Sequence, residues 1–177
     1  MSAGEATWTK DEVLEVAKRL RGEAVRQFAK DGEYSPRTYL FGTRAVGTGN
    51  AAKSVFLIPA VWAGEQEKAA YAAVVRKLAH ATGAVGVIFV AESWTVRTRE
   101  LDLESARKVI GAIGGVSKHP EREEVILFTC EHVRFGASVW TAPIVRTEGK
   151  RAHVGSWEGE GFRSVGGQFV HLLPPAN

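Results

Sequence analysis

The residue types most suited to chemistry lie on one apolar segment in the second half of the chain. Cys130 and His132 are two positions apart in the run 125–132, and a β-strand would place both side chains on the same face. A thiolate beside an imidazole can act as a nucleophile with its general base, or as two ligands of a metal ion. A zinc site needs three or four ligands, and a single cysteine in a strand is most often a small buried side chain. The pair is a candidate site, and burial in the core is the favoured alternative.

A charged segment at residues 117–124 (SKHPEREE) lies directly before this strand. Imidazoles and carboxylates bind divalent metal ions, which activate water for hydrolysis. Pro120 fixes the backbone and is equally typical of a solvated turn, and the sequence favours that interpretation. The side chains that could form a metal cluster across the two segments are His119, Glu121, Glu123, Glu124, Glu131 and His132.

Glu92 is a third candidate, because it stands within the long apolar segment 84–96. Burying a lone carboxylate is costly, so either the strand reaches solvent there or a cation neutralises the charge. The cations considered are Arg97, Arg122 and Arg134. A structural salt bridge is favoured over general-base catalysis, although a carboxylate with a perturbed pKa is a site candidate in either case.

The glycine-rich segment at residues 47–52 (GTGNAA) matches the letters of a dinucleotide-binding turn. Such a turn must follow a strand and open a helix, whereas this segment precedes a predicted strand. We therefore interpret it as a loop and predict no cofactor.

Two helices have clear signals. Thr9 and Glu12 form a capping box at the start of a helix over residues 10–30, which Gly32 ends. A second helix over residues 65–81 carries an apolar stripe at helical spacing. The stripe consists of Tyr71, Val74, Val75 and Leu78. The remaining predicted elements are strands at 54–62, 84–96, 125–132, 137–146, 151–157 and 168–173, a short helix at 101–110, a loop over 31–53 in which 39–41 forms a short strand or a buried anchor, and a glycine-rich linker at 159–167.

The order of these elements predicts an α+β fold. An N-terminal helix precedes a βαβ-like unit formed by the first two predicted strands and the helix between them. Antiparallel strands follow, and all the strands form one mixed sheet with the helices on one face. Residues 55–58 are apolar on both sides, which is typical of an interior strand. We predict a single domain over residues 1–177, with loose tails at 1–7 and 174–177.

The composition weighs against several classes of function. The 177 residues are 45% hydrophobic and carry 23 Lys and Arg against 20 Asp and Glu. Since no block of five like charges occurs, the sequence weighs against nucleic-acid binding. The single cysteine fits a reducing compartment, no secretory signal precedes the first helix, and the longest apolar run, at 84–91, is too short to span a membrane. We predict a soluble cytoplasmic protein without membrane association, and a virion is compatible if a phage encodes it.

Two segments, 91–94 (AESW) and 117–124, resemble a group of small uncharacterised bacterial and phage proteins. Those proteins carry a Glu-x-Trp strand and a His-Pro-x-Arg-x-Glu turn before another strand. The resemblance spans about residues 54–147. It implies no activity, but it implies a phage or mobile-element context and a polar cluster of Glu92, Arg122 and Glu124 that links the two main strands.

The leading prediction is a non-enzymatic protein-association or structural module that forms a homo-oligomer or binds a protein partner. Open edge strands and five tryptophans suit that role. The alternative is a metal-dependent hydrolase, and a nucleic-acid accessory protein is the third hypothesis. The sequence leaves open whether the protein is an enzyme. The candidate catalytic residues are Glu92, His119, Arg122, Glu124, Cys130 and His132, and the candidate metal ligands are His119 and His132.

Overall fold

A computed structural model gives the fold and describes residues 7–46, 50–62, 64–96, 103–163 and 172–173. Within these ranges three α-helices and a short 3-10 helix accompany one seven-stranded sheet. The helices are α1 (Lys10–Asp31), α2 (Glu65–Ala81) and α3 (Leu103–Ala112), and the 3-10 helix is Val116–Lys118. The strands are β1 (Arg37–Val46), β2 (Asn50–Pro59), β3 (Gly86–Thr95), β4 (Glu123–His132), β5 (Gly136–Val145), β6 (His153–Val154) and β7 (Glu158–Arg163). The fold is α+β, as predicted.

The sheet has the order β2-β1-β3-β4-β5-β6, and β7 also pairs with β5. Each strand pair in the described residues is antiparallel, so the prediction of a mixed sheet is wrong. β2 and β3 do run in the same direction across α2, but β1 lies between them and pairs with both. The expected βαβ-like unit therefore contains an inserted antiparallel strand.

The inserted strand β1 lies within the segment 31–53, which the sequence predicts to be a loop, and occupies 10 of its residues. Leu40 and Phe41 are both buried, so successive residues of β1 meet a packed layer on each face. Thr38 is also fully buried, and its Oγ1 lies 2.7 Å from the Tyr71 hydroxyl oxygen, within hydrogen-bond distance. This contact gives the buried Thr38 side chain a hydrogen-bond partner. In the sequence, a polar residue at this position suggests a solvent-exposed segment.

The predicted signals at the two ends of α1 are confirmed. The Thr9 backbone N–H donates to Glu12 Oε2 at 2.8 Å, and the Glu12 backbone N–H donates to Thr9 Oγ1 at 3.3 Å. Gly32 ends the helix with a φ of 78°, the left-handed conformation that favours glycine. Five side chains spaced three and four apart then reach the core: Val13, Ala17, Leu20, Ala24 and Phe28.

Helices α1 and α2 lie on opposite faces of the sheet, so the prediction that the helices share one face is wrong. The reason is that β1 and β3 are apolar on both sides, and each side needs a cover. The core under α1 includes Phe28, Phe41, Ile88, Val90, Ile126, Phe128 and Cys130. The core under α2 includes Leu40, Ala72, Val75, Ala79, Val87, Leu172 and Leu173.

The bounds predicted for α2 are confirmed. Only part of the predicted apolar stripe faces the sheet. Ala72, Val75 and Ala79 are buried. Val74 and Leu78 are instead 50% and 39% exposed. The small alanine side chains face the sheet and leave the larger residues on the flank of the helix.

The strand predicted to be interior, β2, is the edge of the sheet among the described residues, where it pairs with β1 alone. Its apolar run alternates between a covered and an open face. Phe56 and Ile58 pack into the core under α2. Val55 and Leu57 point to the other face and are 38% and 53% exposed.

The opposite side of the sheet ends in β7, which lies in the segment predicted to be a glycine-rich linker. Gly159 pairs with Trp140 of β5, and a Cβ at Gly159 would lie only 2.1 Å from the Trp140 ring. Glycine is needed there for close approach, not for flexibility. Of the last predicted strand, Leu172 and Leu173 are buried outside any strand, and residues 168–171 lie outside the described ranges, as do 1–6 and 174–177 of the predicted tails.

Among the described residues, no helix combines the length and the hydrophobicity that crossing a membrane requires.

Candidate functional site

Cys130 lies on β4 with its side chain in the core under α1, where it is fully buried. Burial raises the pKa of the thiol to about 12, against the opposing charge of the nearby Arg21 guanidinium. The thiol is therefore protonated near neutral pH and is enclosed by apolar side chains. A nucleophile needs the thiolate and an open path, so this environment fits a packing role.

His132 ends the same strand and is only 2% exposed. Its Nδ1 accepts a hydrogen bond from the Arg134 backbone N–H at 3.1 Å, and its ring stacks on Phe135 with centroids 4.4 Å apart. Burial lowers the pKa of His132, while the Trp8 backbone opposes the change. Because Nδ1 accepts, the proton of the neutral ring is on Nε2, which is buried. The ring is held in place and shielded.

His119 lies at the other end of β4, in the turn that precedes the strand. β4 is ten residues long, so its ends are roughly 30 Å apart at about 3.3 Å per residue. The Nδ1 of His119 accepts the Glu121 backbone N–H at 3.1 Å. In the part of the chain that the structure describes, no three His, Cys, Asp or Glu residues are placed to hold a metal ion. His119 and His132 therefore do not belong to one site.

Glu92 lines a pocket at the end of β3 opposite to His132. Its Oε1 accepts a hydrogen bond from the Tyr34 backbone N–H, which ties β3 to the connection between α1 and β1. The pocket has a volume of about 320 Å³. Its lining residues are Glu33, Tyr34, Ser35, Pro36, Trp62 and Glu92.

The charge on Glu92 is only partly compensated. Desolvation raises the pKa of its carboxyl, the Tyr34 N–H lowers it, Glu124 and Glu33 raise it further, and Arg146 lowers it. The cation that opposes the rise is thus Arg146, and the expected partners Arg122 and Arg134 do not have that role. Arg97 lies outside the described residues.

Glu124 and Arg146 form the strongest ion pair near this pocket. The guanidinium Nε and Nη2 each donate to a different carboxylate oxygen of Glu124 at 2.7 Å, a bidentate geometry that fixes both groups. The pair joins the start of β4 to the chain just after β5. The side chain of Glu124 is 19% exposed, and that of Arg146 is 50% exposed.

Arg122 lies beside this group but has a different contact. Its guanidinium is 5.1 Å from the centre of the Trp94 ring, and its Nη1 donates to the His119 carbonyl at 3.2 Å. Trp94 faces Glu124 across the β3–β4 pair. The structure thus brings Glu92, Glu124 and Arg122 to one end of β3 and β4, with Arg146 at its centre.

A second exposed region is the open side of the sheet along β2. Val55 and Leu57 are exposed on one face of the edge strand. On the other face, Tyr71 of α2 donates a hydrogen bond to the Ile58 carbonyl at 3.0 Å. Val74 and Leu78 follow Tyr71 at i+3 and i+7 and share its side of the helix. The exposed flank of α2 therefore lies on the β2 side.

No family model matches the sequence, and no curated protein or solved structure matches it. The resemblance to bacterial and phage proteins stays a prediction, and function has to be argued from the geometry.

Sequence reasoning missed Arg146, Trp62 and the exposed flank along β2. The place of Arg146 could have been found from the sequence, because the short turn between β4 and β5 forms a hairpin that brings Arg146 back beside Glu124. The position of Trp62 depends on the missed strand β1. The segment before Trp62 is held there because the Ala60 backbone N–H donates to the Pro36 carbonyl at 3.0 Å.

Proposed function

We propose that the protein works by self-association, with two copies joined along their β2 strands. The observation that carries this proposal is the exposed apolar residues on both sides of one open edge: Val55 and Leu57 of β2, and Val74 and Leu78 of α2. An edge strand presents unpaired backbone donors and acceptors that can pair with another strand.

The usual protection of an edge strand is weak along β2. Charged side chains, prolines and bulges keep most edges from pairing. The charge of Lys53 is balanced by Glu12 of the same chain, with Nζ 2.6 Å from a carboxylate oxygen. Pro59 is the last residue of the strand. The register with β1 is continuous over the whole of β2, so no bulge interrupts the residues between Lys53 and Pro59.

An antiparallel pairing of two β2 strands about a two-fold axis accounts for both apolar regions at once. It extends the sheet across the two copies, so Val55 of each copy meets Leu57 of the other on one face. On the other face the two α2 helices run antiparallel with Val74 and Leu78 between them.

Self-association along β2 can be measured by size-exclusion chromatography with light scattering. The proposal predicts a particle of twice the 19.2 kDa chain mass. Leu57→Arg places two buried cations near the axis and is expected to give monomers. Val109→Arg is the matched control, since Val109 is 44% exposed on α3, and it is expected to leave the dimer intact.

A monomeric wild-type chain would overturn self-association, and so would a dimer that persists in Leu57→Arg. Circular dichroism and a thermal melt on each variant ensure that a monomer is a folded one. The phage context and the cytoplasmic or virion location stay predictions, because the contacts along β2 do not bear on them.

The hydrolase alternative has no comparable observation in its favour, because its two histidines lie at opposite ends of β4. A nucleic-acid role likewise has no observation in its favour, because the sequence contains no block of basic residues.

A further inference from the structure

The pocket beside Glu92 is built from three parts of the chain that the topology brings together. The connection after α1 supplies residues 33–36, the segment after β2 supplies Trp62, and β3 supplies Glu92. The volume of about 320 Å³ is at the small end of the range for small-molecule sites. Its lining residues do not include the exposed residues of the flank along β2.

The charged groups that line this pocket are carboxylates. Glu92 and Glu33 line it, and no lysine or arginine among the described residues does so. The nearest strong cation, Arg146, is held by both oxygens of Glu124. Glu92 itself forms no ion pair with the described residues, so its charge is left for another group to balance.

One carboxylate oxygen of Glu92 already accepts a hydrogen bond, and the other can accept hydrogen bonds from a ligand. Oε1 takes the Tyr34 backbone N–H, which orients the carboxylate. Oε2 has no hydrogen bond from the described residues and is not among the buried polar atoms that lack a partner, so it is reachable from solvent. A carboxylate oxygen in this position can accept two further N–H donors.

Trp62 supplies the apolar wall of the pocket. Its ring lies 6.0 Å from Phe89 with an interplanar angle of 27°, and 5.3 Å from Tyr71. These contacts hold the indole in one orientation. An indole face attracts a cation and packs against an alkyl chain. The ring of Tyr34, which also lines the pocket, has the Arg37 guanidinium 5.5 Å from its centre.

We infer that this pocket binds an organic cation, an alkylammonium or alkylguanidinium group, with Glu92 accepting its N–H donors and Trp62 packing against its alkyl chain. An anion would face two carboxylates and is disfavoured. A neutral ligand would leave Glu92 without a counter-charge. The same chemistry is found in a free amine and in a lysine or arginine side chain of a peptide.

The test is a titration followed by NMR chemical shifts of the Trp62 indole N–H, assigned with a Trp62→Phe variant. The probes are n-butylamine and n-butylguanidine, with n-butanol as the uncharged match. A pair of short peptides, Gly-Lys-Gly and Gly-Gln-Gly, tests the peptide source. Saturable shifts with the cations, and not with n-butanol or Gly-Gln-Gly, are expected.

Variants identify the groups that bind. Glu92→Gln keeps an acceptor for the Tyr34 N–H but removes the charge, and it is expected to weaken binding of the cations by about tenfold to a hundredfold. A Trp62→Leu variant, followed through neighbouring backbone amides, is expected to weaken it by about threefold to tenfold. Glu121→Gln, in the exposed turn before β4, is the matched control and is expected to bind as the wild type does.

Equal binding of n-butanol and n-butylamine would overturn the inference, as would unchanged affinity in Glu92→Gln or no saturable shift with any cation. Binding of n-butylamine without Gly-Lys-Gly identifies a free amine as the source, and tighter binding of Gly-Lys-Gly identifies a peptide. Both of these outcomes support a cation site.

Discussion

The interior under α1 and the open side of the sheet along β2 contain opposite kinds of residue. Cys130 and His132, the most reactive types in the chain, are enclosed under α1 with 0% and 2% of their surface exposed. Along β2 the residues are chemically plain, yet Leu57 is 53% exposed. Residue type alone therefore does not show which region is accessible to a ligand or a partner. The environment decides, since a reactive group without access is inert and an apolar group without cover favours association.

The two sides of the sheet also differ in how they end. β5 is followed outward by both β6 and β7, and Trp157 near β7 packs on Phe128 with ring centres 6.0 Å apart. That side is covered by its own chain. At the other side, no strand in the described part of the chain lies beyond β2.

Gly159→Val tests the covered side and is expected to have the largest effect on stability. A side chain at this position overlaps the Trp140 ring and the Val139 carbonyl, so β7 or Trp140 must move. We expect a loss of about 2 to 3 kcal/mol in the free energy of unfolding, measured by urea denaturation. Gly111→Ala, where an added Cβ meets open space among the described residues, serves as the control. Equal stability of the two variants would show that the covered side is loosely packed.

His132→Ala sharpens the distinction between a structural and a metal-binding histidine. Removing the buried ring and its stack on Phe135 should cost about 2 kcal/mol, whereas His119→Ala in the exposed turn should cost less than about 0.5 kcal/mol. A metal site shared by both residues predicts instead that added zinc stabilises the wild type and neither variant. Thermal melts with and without metal and chelator distinguish the two outcomes.

The pH dependence of His132 gives a second check on its burial. Burial lowers the folded-state pKa below the unfolded value of 6.5. The unfolded chain then binds the proton more readily, so this group makes the wild type lose stability as the pH falls below 6.5. We expect the difference in unfolding free energy between wild type and His132→Ala to shrink over that range. A difference that does not change with pH would contradict a desolvated ring.

Glu92→Gln is expected to show the opposite trend with pH. The folded-state pKa of Glu92 lies above its unfolded value of 4.5, chiefly because of burial. The wild type is therefore most stable below pH 4.5 with respect to this group and loses that contribution as the pH rises through the folded-state pKa. The variant should gain stability relative to the wild type at neutral pH and lose that gain in acid. Glu121→Gln controls for the change in net charge.

Leu57→Ser tests the open side and should have the smallest effect on the stability of a single chain. Since Leu57 is more than half exposed, we expect a change within about 0.5 kcal/mol when the monomer is studied at high dilution. The midpoint of unfolding of the wild type should instead rise with protein concentration, because association stabilises the folded state. A large loss at high dilution would place Leu57 in the core.

Much of the fold follows from local signals in the sequence. The bounds of α1 and α2 are correct because capping residues and helical spacing act within a few positions. The segments β3 and β4 are correct because their apolar runs are long. β1 fails because the burial of Thr38 depends on the Tyr71 hydroxyl, 33 residues away.

The candidate site is less accessible to sequence reasoning. Cys130 and His132 share a face as the strand period requires, but only the position of α1 shows that the face is closed. The pairing of Glu124 with Arg146 depends on the register of β4 against β5. The exposure of Val74 depends on the alanines of α2 facing the sheet.

Disulfide cross-linking along β2 tests self-association most directly. Val55→Cys and Leu57→Cys place a thiol in the exposed row, and Cys130 stays inert because it is fully buried with a pKa of about 12. Under mild oxidation we predict covalent dimers from an equimolar mixture of the two variants, in which the thiol introduced at position 55 of one copy opposes the thiol introduced at position 57 of the other, and none from the wild type or from Val109→Cys on α3. Dimers that form no faster from the β2 variants than from Val109→Cys would contradict the proposed contact.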